Sequence, residues 1–241
     1  MSTLVFDIET VGEKWGDLDA VTQATLTRWI DRSTTDEADR QAKYTDLKEG
    51  LGFSPLTGQV VAIGVYDVER MTGAVYYQGN GEEVDEPTDD FIYKQRSERQ
   101  MLEDFWEGAR SYDTFVTFNG RCFDVPFLMH RSAISRVQPT KNLMEGRYPY
   151  QQKTVRHVDL QDEMSFYGAQ QRRPNLHLCC RAYGIESPKS GGVAGDDVAE
   201  LFARKQFRDI AMYNARDVIA TTALYQKWQE YFDFTPKDID F

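Results

Sequence analysis

The sequence has few of the residues that build disulfide frameworks or zinc sites. It contains three cysteines and three histidines among 241 residues, and Cys179 and Cys180 are adjacent. An odd cysteine count without a C-x-x-C spacing excludes a disulfide framework and a cysteine metal knuckle. His130, His157 and His177 are scattered without ligand spacing, so we interpret each as an ordinary packed or surface residue.

Long hydrophobic runs are also absent. Stretches such as Val60–Ile63 are far shorter than the roughly 20 apolar residues that a membrane-spanning helix needs. The start of the chain, Met1–Thr10, lacks a basic segment and carries two carboxylates where a signal peptide needs an apolar core. We therefore expect no membrane segment and no secretion, and a reducing cytoplasm suits the cysteine usage.

Basic residues do not outnumber acidic ones. Lys and Arg total 28 and Asp and Glu total 39, so the formal net charge is −11. This charge argues against broad, salt-driven binding to a polyanion. Two bound divalent cations would change the sum to −7, because −11 + 4 = −7. A ligand carrying phosphates would then bind in a strongly metal-dependent way.

The apolar and aromatic residues that are present predict one packed domain. Apolar residues make up 41% of the chain and aromatic residues 13%, far above the values of disordered chains. We expect a single domain over residues 1–241 with an insertion at about 12–55. The insertion contains a short amphipathic helix, Val21–Ile30, and the charged, threonine-rich run Asp31–Glu49.

Outside this insertion the sequence predicts five strands, of which the last two alternate with helices. Three strands come first and are expected to form an antiparallel meander, whereas the acidic segment Gly79–Asp90 is expected to be a solvated loop. A helix should follow Asp124. The predicted strands are Thr3–Ile8, Gln59–Asp67, Ala74–Gln78, Asp113–Phe118 and Val155–Leu160, and the other helices are Ser97–Ala109, Leu176–Tyr183, Asp196–Arg204 and Phe207–Phe232. This order is typical of the ribonuclease H-like α/β fold, a mixed five-stranded sheet flanked by helices.

Acidic residues stand where two of these strands end. Asp7 and Glu9 are two residues apart, so both carboxylates point to one face of the first strand. Asp124 follows another strand and the turn Asn119–Phe123. Alone, the pair is interpreted as a solvated strand end and Asp124 as a helix N-cap. Together they are candidates for a shared site.

The last long helix carries a third acidic candidate. Tyr213 and Asp217 are four residues apart and project from one face of the helix. One interpretation is a core tyrosine beside a surface aspartate. However, Ile210, Leu224 and Trp228 lie on or near the same stripe, which puts Asp217 at the edge of the apolar face. A carboxylate there needs a partner, and a metal ion would supply one.

Three motifs in this order resemble those of the DEDD exonucleases: F-D-I-E-T (6–10), F-N-G-R-C-F-D (118–124) and Y-N-A-R-D (213–217). The tyrosine four residues before the last aspartate matches the tyrosine subgroup. The resemblance is nearest to stand-alone proteins related to the exonuclease domain of family-B DNA polymerases. It extends over 157–160 and 195–202, although this chain has no polymerase region and has a long insertion after Glu9.

The resemblance implies a Mg²⁺- or Mn²⁺-dependent 3′-to-5′ exonuclease with two ions. Asp7, Glu9, Asp124 and Asp217 would hold one ion, and Asp7 alone would contact the second. Hard oxygen ligands suit either metal. Two ions about 4 Å apart would activate a water and stabilise the leaving 3′ oxygen. Tyr213 would orient the water, because a phenol of pKa near 10 is a poor base.

The expected substrate is single-stranded nucleic acid, DNA in preference to RNA, degraded to nucleoside monophosphates. Arg121 and Arg216 are candidates for phosphate contacts and Phe123 for base stacking; Thr10 and Asn119, within the same motifs, complete the candidate substrate contacts. Phe123 is equally suited to the core, and both arginines to pairing with the acidic cluster. An RNA-trimming enzyme and a non-catalytic binding module are the alternatives. Asp159 is interpreted as a strand-end residue that accepts backbone amides.

Overall fold

The first strand of the chain lies at the centre of a seven-stranded mixed sheet. The computed structural model describes residues 2–33, 36–81, 83–191 and 195–234. The strands are β1 Thr3–Gly12, β2 Gly58–Asp67, β3 Thr72–Tyr77, β4 Val84–Pro87, β5 Phe91–Gln95, β6 Thr114–Thr117 and β7 Arg156–Asp159. The helices are α1 Ala20–Ser33, α2 Glu37–Glu49, α3 Glu98–Ala109, α4 Asp124–Ile134, α5 Leu160–Met164, α6 Leu176–Tyr183, α7 Val198–Ala203 and α8 Phe207–Tyr231.

The sheet order is β4-β5-β3-β2-β1-β6-β7. β1 pairs with β2, and β2 with β3, in antiparallel fashion, whereas β6 pairs parallel to β1 and β7 parallel to β6. These five strands are the five predicted from the sequence, in the ribonuclease H-like arrangement. The α/β fold class is therefore confirmed.

The predicted strand count was too low, because two further strands extend the sheet beyond β3. β5 pairs parallel to β3, and β4 forms the antiparallel outer edge. The segment 79–90 was expected to be a solvated loop, but its described part contains β4. Asp85, Glu86 and Pro87 of this strand are exposed, as suits a polar edge strand. Residue 82 lies outside the described residues.

β1 is longer than predicted and contains the acidic pair within it. The strand continues to Gly12 because β2 pairs along its whole length, with a shift of register between Glu9 and Thr10. Asp7 and Glu9 thus lie inside the strand and not at its end. Such irregularities bend a strand and redirect side chains, and they are common beside active sites.

Alternation along β1 separates two halves of the core. Leu4, Phe6 and Ile8 face α3 and α4, where Phe6 contacts Phe105 edge to face with ring centroids 5.2 Å apart. Val5 faces α8 on the opposite side of the sheet, in a cluster with Val218, Leu224 and Trp228 of that helix. Asp7 and Glu9 share this second side with Val5. The apolar side chains of α8 pack against this side of the sheet. The polar residues beside them on the helix therefore lie over the acidic pair.

The predicted insertion, 12–55, forms α1, α2 and two single turns of 3-10 helix, Trp15–Asp17 and Gly50–Phe53. Residues 34 and 35 of the charged run lie outside the described residues. Ile30 is the buried residue of α1, and α2 buries none. Most of the insertion therefore lies on the surface, whereas its last turn packs against β1 through Leu51, which is 3% exposed.

Candidate active site

Three carboxylates from two elements meet on the α8 side of the sheet. One oxygen each of Asp7, Glu9 and Asp217 lies within 4.8 Å of the others. Asp7 and Glu9 come from β1, and Asp217 comes from the middle of α8. Asp217 is 7% exposed and Glu9 is 9% exposed, whereas Asp7 is partly exposed and opens the group to solvent. The structure thus brings together three of the four carboxylates that the sequence offered as candidate ligands.

Asp124 lies beside this trio and is attached to the same strand. It is the first residue of α4 and is buried. Its Oδ1 accepts a hydrogen bond from the Ile8 N–H, 3.1 Å away, and Ile8 separates Asp7 from Glu9. Its charge raises the pKa of both Asp7 and Glu9. Among the described residues, Asp124 is not part of the group of three whose carboxylate oxygens lie within 4.8 Å of one another.

The four carboxylates are held where ionisation is unfavourable. Burial is the largest cause that raises the pKa of Asp7 and of Glu9 well above the ordinary values, and repulsion from the neighbouring carboxylates adds to it. Burial also raises the pKa of Asp124 and of Asp217 to about 7. Such a buried set of oxygen donors becomes stable as anions when cations neutralise it. Its donor chemistry fits Mg²⁺ or Mn²⁺.

Asn214 is a member of the site that the sequence prediction missed. It is fully buried, and its Nδ2 donates to Asp7 Oδ2 at 2.7 Å. Burial raises the pKa of Glu9, and Asn214 offsets part of this rise. Its Oδ1 is buried without a hydrogen-bond partner. The spacing held a signal, because residues 214 and 217 are three apart and share one face of α8.

Gly64 makes room for this asparagine. Gly64 on β2 pairs with Asp7 on β1. A Cβ at residue 64 would lie 2.5 Å from Asn214 Oδ1 and 2.8 Å from Val218 Cγ2. Because β carbons do not approach other atoms so closely, only glycine allows α8 to sit at this distance from β2. The close approach is what lets Asn214 reach Asp7.

Tyr213 lies one helical turn before Asp217, on the same face of α8. The side chain is 6% exposed. Burial is the main cause that raises the pKa of the Tyr213 phenol far above its ordinary value, and the charges of Asp217, Glu9 and Asp7 raise it further. The phenol therefore stays protonated and acts as a hydrogen-bond donor.

The turn before Asp124 is held by Asp159, at the end of β7. The Asp159 carboxylate accepts the N–H groups of Asn119 and Arg121, at 2.8 and 2.9 Å, and that of Gln161 at 3.0 Å. Asn119 adopts the left-handed backbone region, with φ 66°. These contacts agree with the interpretation of Asp159 as an acceptor of backbone amides. They set the path of the chain into Asp124.

The Arg121 side chain points into the protein interior. The side chain is 8% exposed; its Nη1 donates to the Leu143 carbonyl at 3.3 Å and lies 3.4 Å from His157 Nδ1. His157 in turn is buried, with Nε2 2.9 Å from Thr117 Oγ1. Arg121 was expected to contact phosphate, but its guanidinium belongs to this internal network. We therefore remove it from the substrate contacts.

The other candidate substrate contacts lie around the carboxylates. The Thr10 hydroxyl donates to the Gly52 carbonyl at 2.8 Å. Phe123 is partly buried and packs on Phe127 with ring centroids 5.5 Å apart. Arg216 donates from Nε to the Pro188 carbonyl at 3.3 Å, and its charge lowers the pKa of Asp217.

A family model described as a predicted 3′-5′ exonuclease related to the exonuclease domain of PolB matches residues 60–235. The chain belongs to this family. Asp124, Tyr213 and Asp217 fall inside the matched region, whereas Asp7 and Glu9 precede it. The resemblance to proteins related to the exonuclease domain of family-B DNA polymerases is therefore confirmed. No curated protein matches the chain.

A solved structure with the same fold is the family B DNA polymerase from the hyperthermophilic archaeon Pyrobaculum calidifontis. The TM-score is 0.56 and the sequence identity 19%, with 95% of this chain covered. The chain spans about a quarter of the polymerase, 24% of its length. At this identity the similarity shows the fold, as expected for a family related to the polymerase exonuclease domain.

Among the described residues, no helix has the length and apolar character needed to cross a bilayer.

Proposed function

We propose that this protein is a metal-dependent 3′-to-5′ exonuclease that removes nucleoside monophosphates from single-stranded DNA. The observation that carries the proposal is the convergence of Asp7, Glu9 and Asp217 within 4.8 Å, with Asp124 beside them. Membership of a family of predicted 3′-5′ exonucleases supports the same reaction. The free thiols Cys122, Cys179 and Cys180 suit a reducing cytoplasm, where we expect the enzyme to act.

Asp7, Glu9, Asp124 and Asp217 would hold two Mg²⁺ or Mn²⁺ ions. When bound, the ions would supply the positive charge that activates a water and stabilises the phosphodiester oxygens. The residues contribute a buried, prearranged set of oxygens. Asn214 holds the Asp7 carboxylate through the 2.7 Å hydrogen bond, so the set does not have to reorganise when the substrate binds.

Tyr213 would position the attacking water. Its phenol keeps its proton because burial and the neighbouring carboxylates raise its pKa. A protonated phenol donates a hydrogen bond and does not remove a proton, so we assign orientation and not base catalysis to it. Substitution by phenylalanine keeps the ring and removes this donor.

Substrate contacts would come from the rim of the carboxylate site. Thr10 and Asn119 lie next to Glu9 and on the turn before Asp124, and Phe123 directly precedes Asp124. Arg216 is a basic group near Asp217 that can meet a backbone phosphate. We favour DNA over RNA because the family is related to an exonuclease domain of DNA polymerases.

The experiment uses one single strand labelled at its 3′ end and the same strand labelled at its 5′ end. With Mg²⁺, we expect the 3′ label to be released at once as a mononucleotide. The 5′-labelled strand should become shorter in steps of one nucleotide. Chelator should abolish both. Release of the 5′ label first, or activity in chelator, would overturn the proposal.

Matched DNA and RNA strands in the same assay test the substrate preference. Faster release from RNA would make the protein an RNA-trimming enzyme. No release from either strand, together with no Mg²⁺ binding by calorimetry, would identify a non-catalytic binding module.

A further inference from the structure

An exposed phenylalanine ends the last turn of the 12–55 insertion. Phe53 is 70% exposed, although Leu51, two residues earlier, is 3% exposed and packs in the core. Single exposed apolar side chains are common on protein surfaces and need no function. Phe53 differs from such residues in its support, its ring partner and its place in the fold.

The turn that carries Phe53 is fastened on both sides. Thr10 Oγ1 donates to the Gly52 carbonyl and Thr57 Oγ1 donates to the Leu51 carbonyl, each at 2.8 Å. A Cβ at Gly52 would lie 2.9 Å from the backbone nitrogen of Gly12, which shows how closely this turn packs on β1. The backbone under the exposed ring is thus held in place.

A third attachment joins the turn to α4. Arg131 Nη1 donates to the Pro55 carbonyl at 3.3 Å, while its Nε and Nη2 bind the Glu98 carboxylate at 2.8 and 2.7 Å. Arg131 belongs to α4 and binds Glu98 of α3, so its guanidinium is fixed. Through the Pro55 carbonyl it fixes the chain two residues after Phe53. A ring presented on a fixed backbone binds a ligand with little loss of conformational entropy.

Phe53 pairs with Phe123, the residue directly before Asp124. Their ring centroids are 6.4 Å apart with an interplanar angle of 65°. Phe123 directly precedes Asp124, and Gly52 is bonded to Thr10, the residue after Glu9. Phe123 is thus adjacent in sequence to one site carboxylate, and the turn that carries Phe53 is hydrogen-bonded to the residue after another.

We propose that Phe53, together with Phe123, forms a base-stacking subsite for the last nucleotides at the 3′ end of a single strand. The proposal rests on the proposed exonuclease function. The chain has a net charge of −11, so electrostatic attraction to phosphates contributes little outside the metal site. Stacking on aromatic rings is insensitive to this charge and to base identity. The insertion would thereby hold the strand end beside the carboxylates.

The test measures binding by fluorescence anisotropy, with Mg²⁺ and a short 5′-labelled oligothymidylate whose 3′ linkages are phosphorothioates that slow cleavage. Loss of one stacking ring should weaken binding of the Phe53→Ala variant by about 5- to 50-fold. Phe53→Trp, which keeps an aromatic ring, should bind the strand about as tightly as the wild type does. Met71→Ala is the matched control, because Met71 is 68% exposed on the turn between β2 and β3. Its affinity should equal that of the wild type.

Strands that lack one base near the 3′ end identify the stacking partner. The wild type should lose affinity when the stacked base is removed, whereas Phe53→Ala should lose none at that position. Because the ring is largely exposed, the melting temperature of Phe53→Ala should match that of the wild type. Equal affinities of Phe53→Ala and wild type would overturn the subsite. So would a loss of affinity in Phe53→Ala that has the same size for the complete strand and for each strand that lacks one base.

The two proposals fail in different ways. If the wild type releases mononucleotides and Phe53→Ala does so with an unchanged KM, the stacking subsite is wrong and the exonuclease assignment stands. If the wild type binds the strand through Phe53 and releases nothing, the exonuclease assignment is wrong and the stacking subsite stands. A wild type that does not bind the strand overturns the stacking subsite.

Discussion

Asn214 connects the C-terminal helix to the central strand at the level of a single side chain. It donates to Asp7 at 2.7 Å, and its own Oδ1 is buried without a hydrogen-bond partner. An unpaired buried amide oxygen is unfavourable, so the arrangement costs stability. In return, the Asp7 carboxylate is held in one orientation, which is how groups around a metal site commonly support its ligands.

We therefore predict that Asn214→Leu, which retains much of the volume and removes the donor, weakens Mg²⁺ binding by about 10-fold or more. Isothermal titration calorimetry of the folded variant checks this. Asn142→Ala, at an exposed asparagine, is the control and should leave the Mg²⁺ affinity unchanged. Unaltered Mg²⁺ affinity in Asn214→Leu would show that the amide does not position Asp7.

The sequence contained the four carboxylates of the candidate site but not the residues that support them. Asp7, Glu9, Asp124 and Asp217 could be predicted because each lies in a short motif with a readable spacing. Asn214 was missed because only the four-residue spacing of Tyr213 and Asp217 was used. Arg121 was assigned to phosphate because its motif position does not reveal burial. Its contacts with Leu143 and His157 join residues more than 20 positions apart.

At the scale of elements, the site depends on how closely α8 packs on β2. Gly64 sets this distance, because a Cβ there would overlap Asn214 and Val218. We predict that Gly64→Ala lowers the free energy of unfolding by about 1–3 kcal/mol through overpacking. It should also weaken Mg²⁺ binding, because α8 must move away from β1.

Gly108→Ala is the matched control for this change. Gly108 lies within α3, and a Cβ there would meet nothing within 4 Å. Alanine should raise the free energy of unfolding by about 0.5–1 kcal/mol and leave Mg²⁺ binding unchanged. Denaturant unfolding and calorimetry measure both quantities. A Gly64→Ala variant as stable as the wild type, with equal Mg²⁺ affinity, would contradict the packing argument.

Element prediction succeeded for the five buried strands and failed for β5 and β4, which extend the sheet beyond β3. The runs that became β1, β2 and β6 are rich in β-branched and aromatic residues, so their pattern was readable. β4 carries Asp85, Glu86 and Pro87, which are typical of loops. Its strand conformation comes from pairing with β5, a tertiary contact that no local pattern contains. Phe91 and Tyr93 on β5 point inward with period two and were the available signal.

For the whole molecule, the carboxylate cluster makes stability depend on pH and on divalent cations together. Asp7, Glu9, Asp124 and Asp217 all have a pKa raised in the folded protein. Between their ordinary values near 4 and the folded values, about 7 for the last two, the folded state binds more protons than the unfolded state. Rising pH therefore destabilises the metal-free protein, kept so by a chelator, across this window. Bound Mg²⁺ removes that penalty.

We predict that the rise in melting temperature caused by saturating Mg²⁺, relative to chelator, is larger at pH 8 than at pH 5. Differential scanning fluorimetry checks this. Using the difference also removes the opposite effect of His157, whose pKa is lowered to about 4 by burial. That histidine stabilises the fold above its ordinary pKa and loses this effect as the pH falls toward 4. Equal Mg²⁺ shifts at both pH values would contradict the account.

The central claim is that the carboxylates of β1, α4 and α8 bind the metal ions that cleave the 3′ end. Its most direct test compares mononucleotide release from a 3′-labelled single strand by the wild type and by Asp217→Asn, with Mg²⁺. The variant should keep its fold, because asparagine has the shape of aspartate and removes a buried charge. We predict a rate lower by about 10³-fold or more, from the loss of one metal ligand. An Asp217→Asn protein that releases nucleotides at a rate close to that of the wild type would contradict the account.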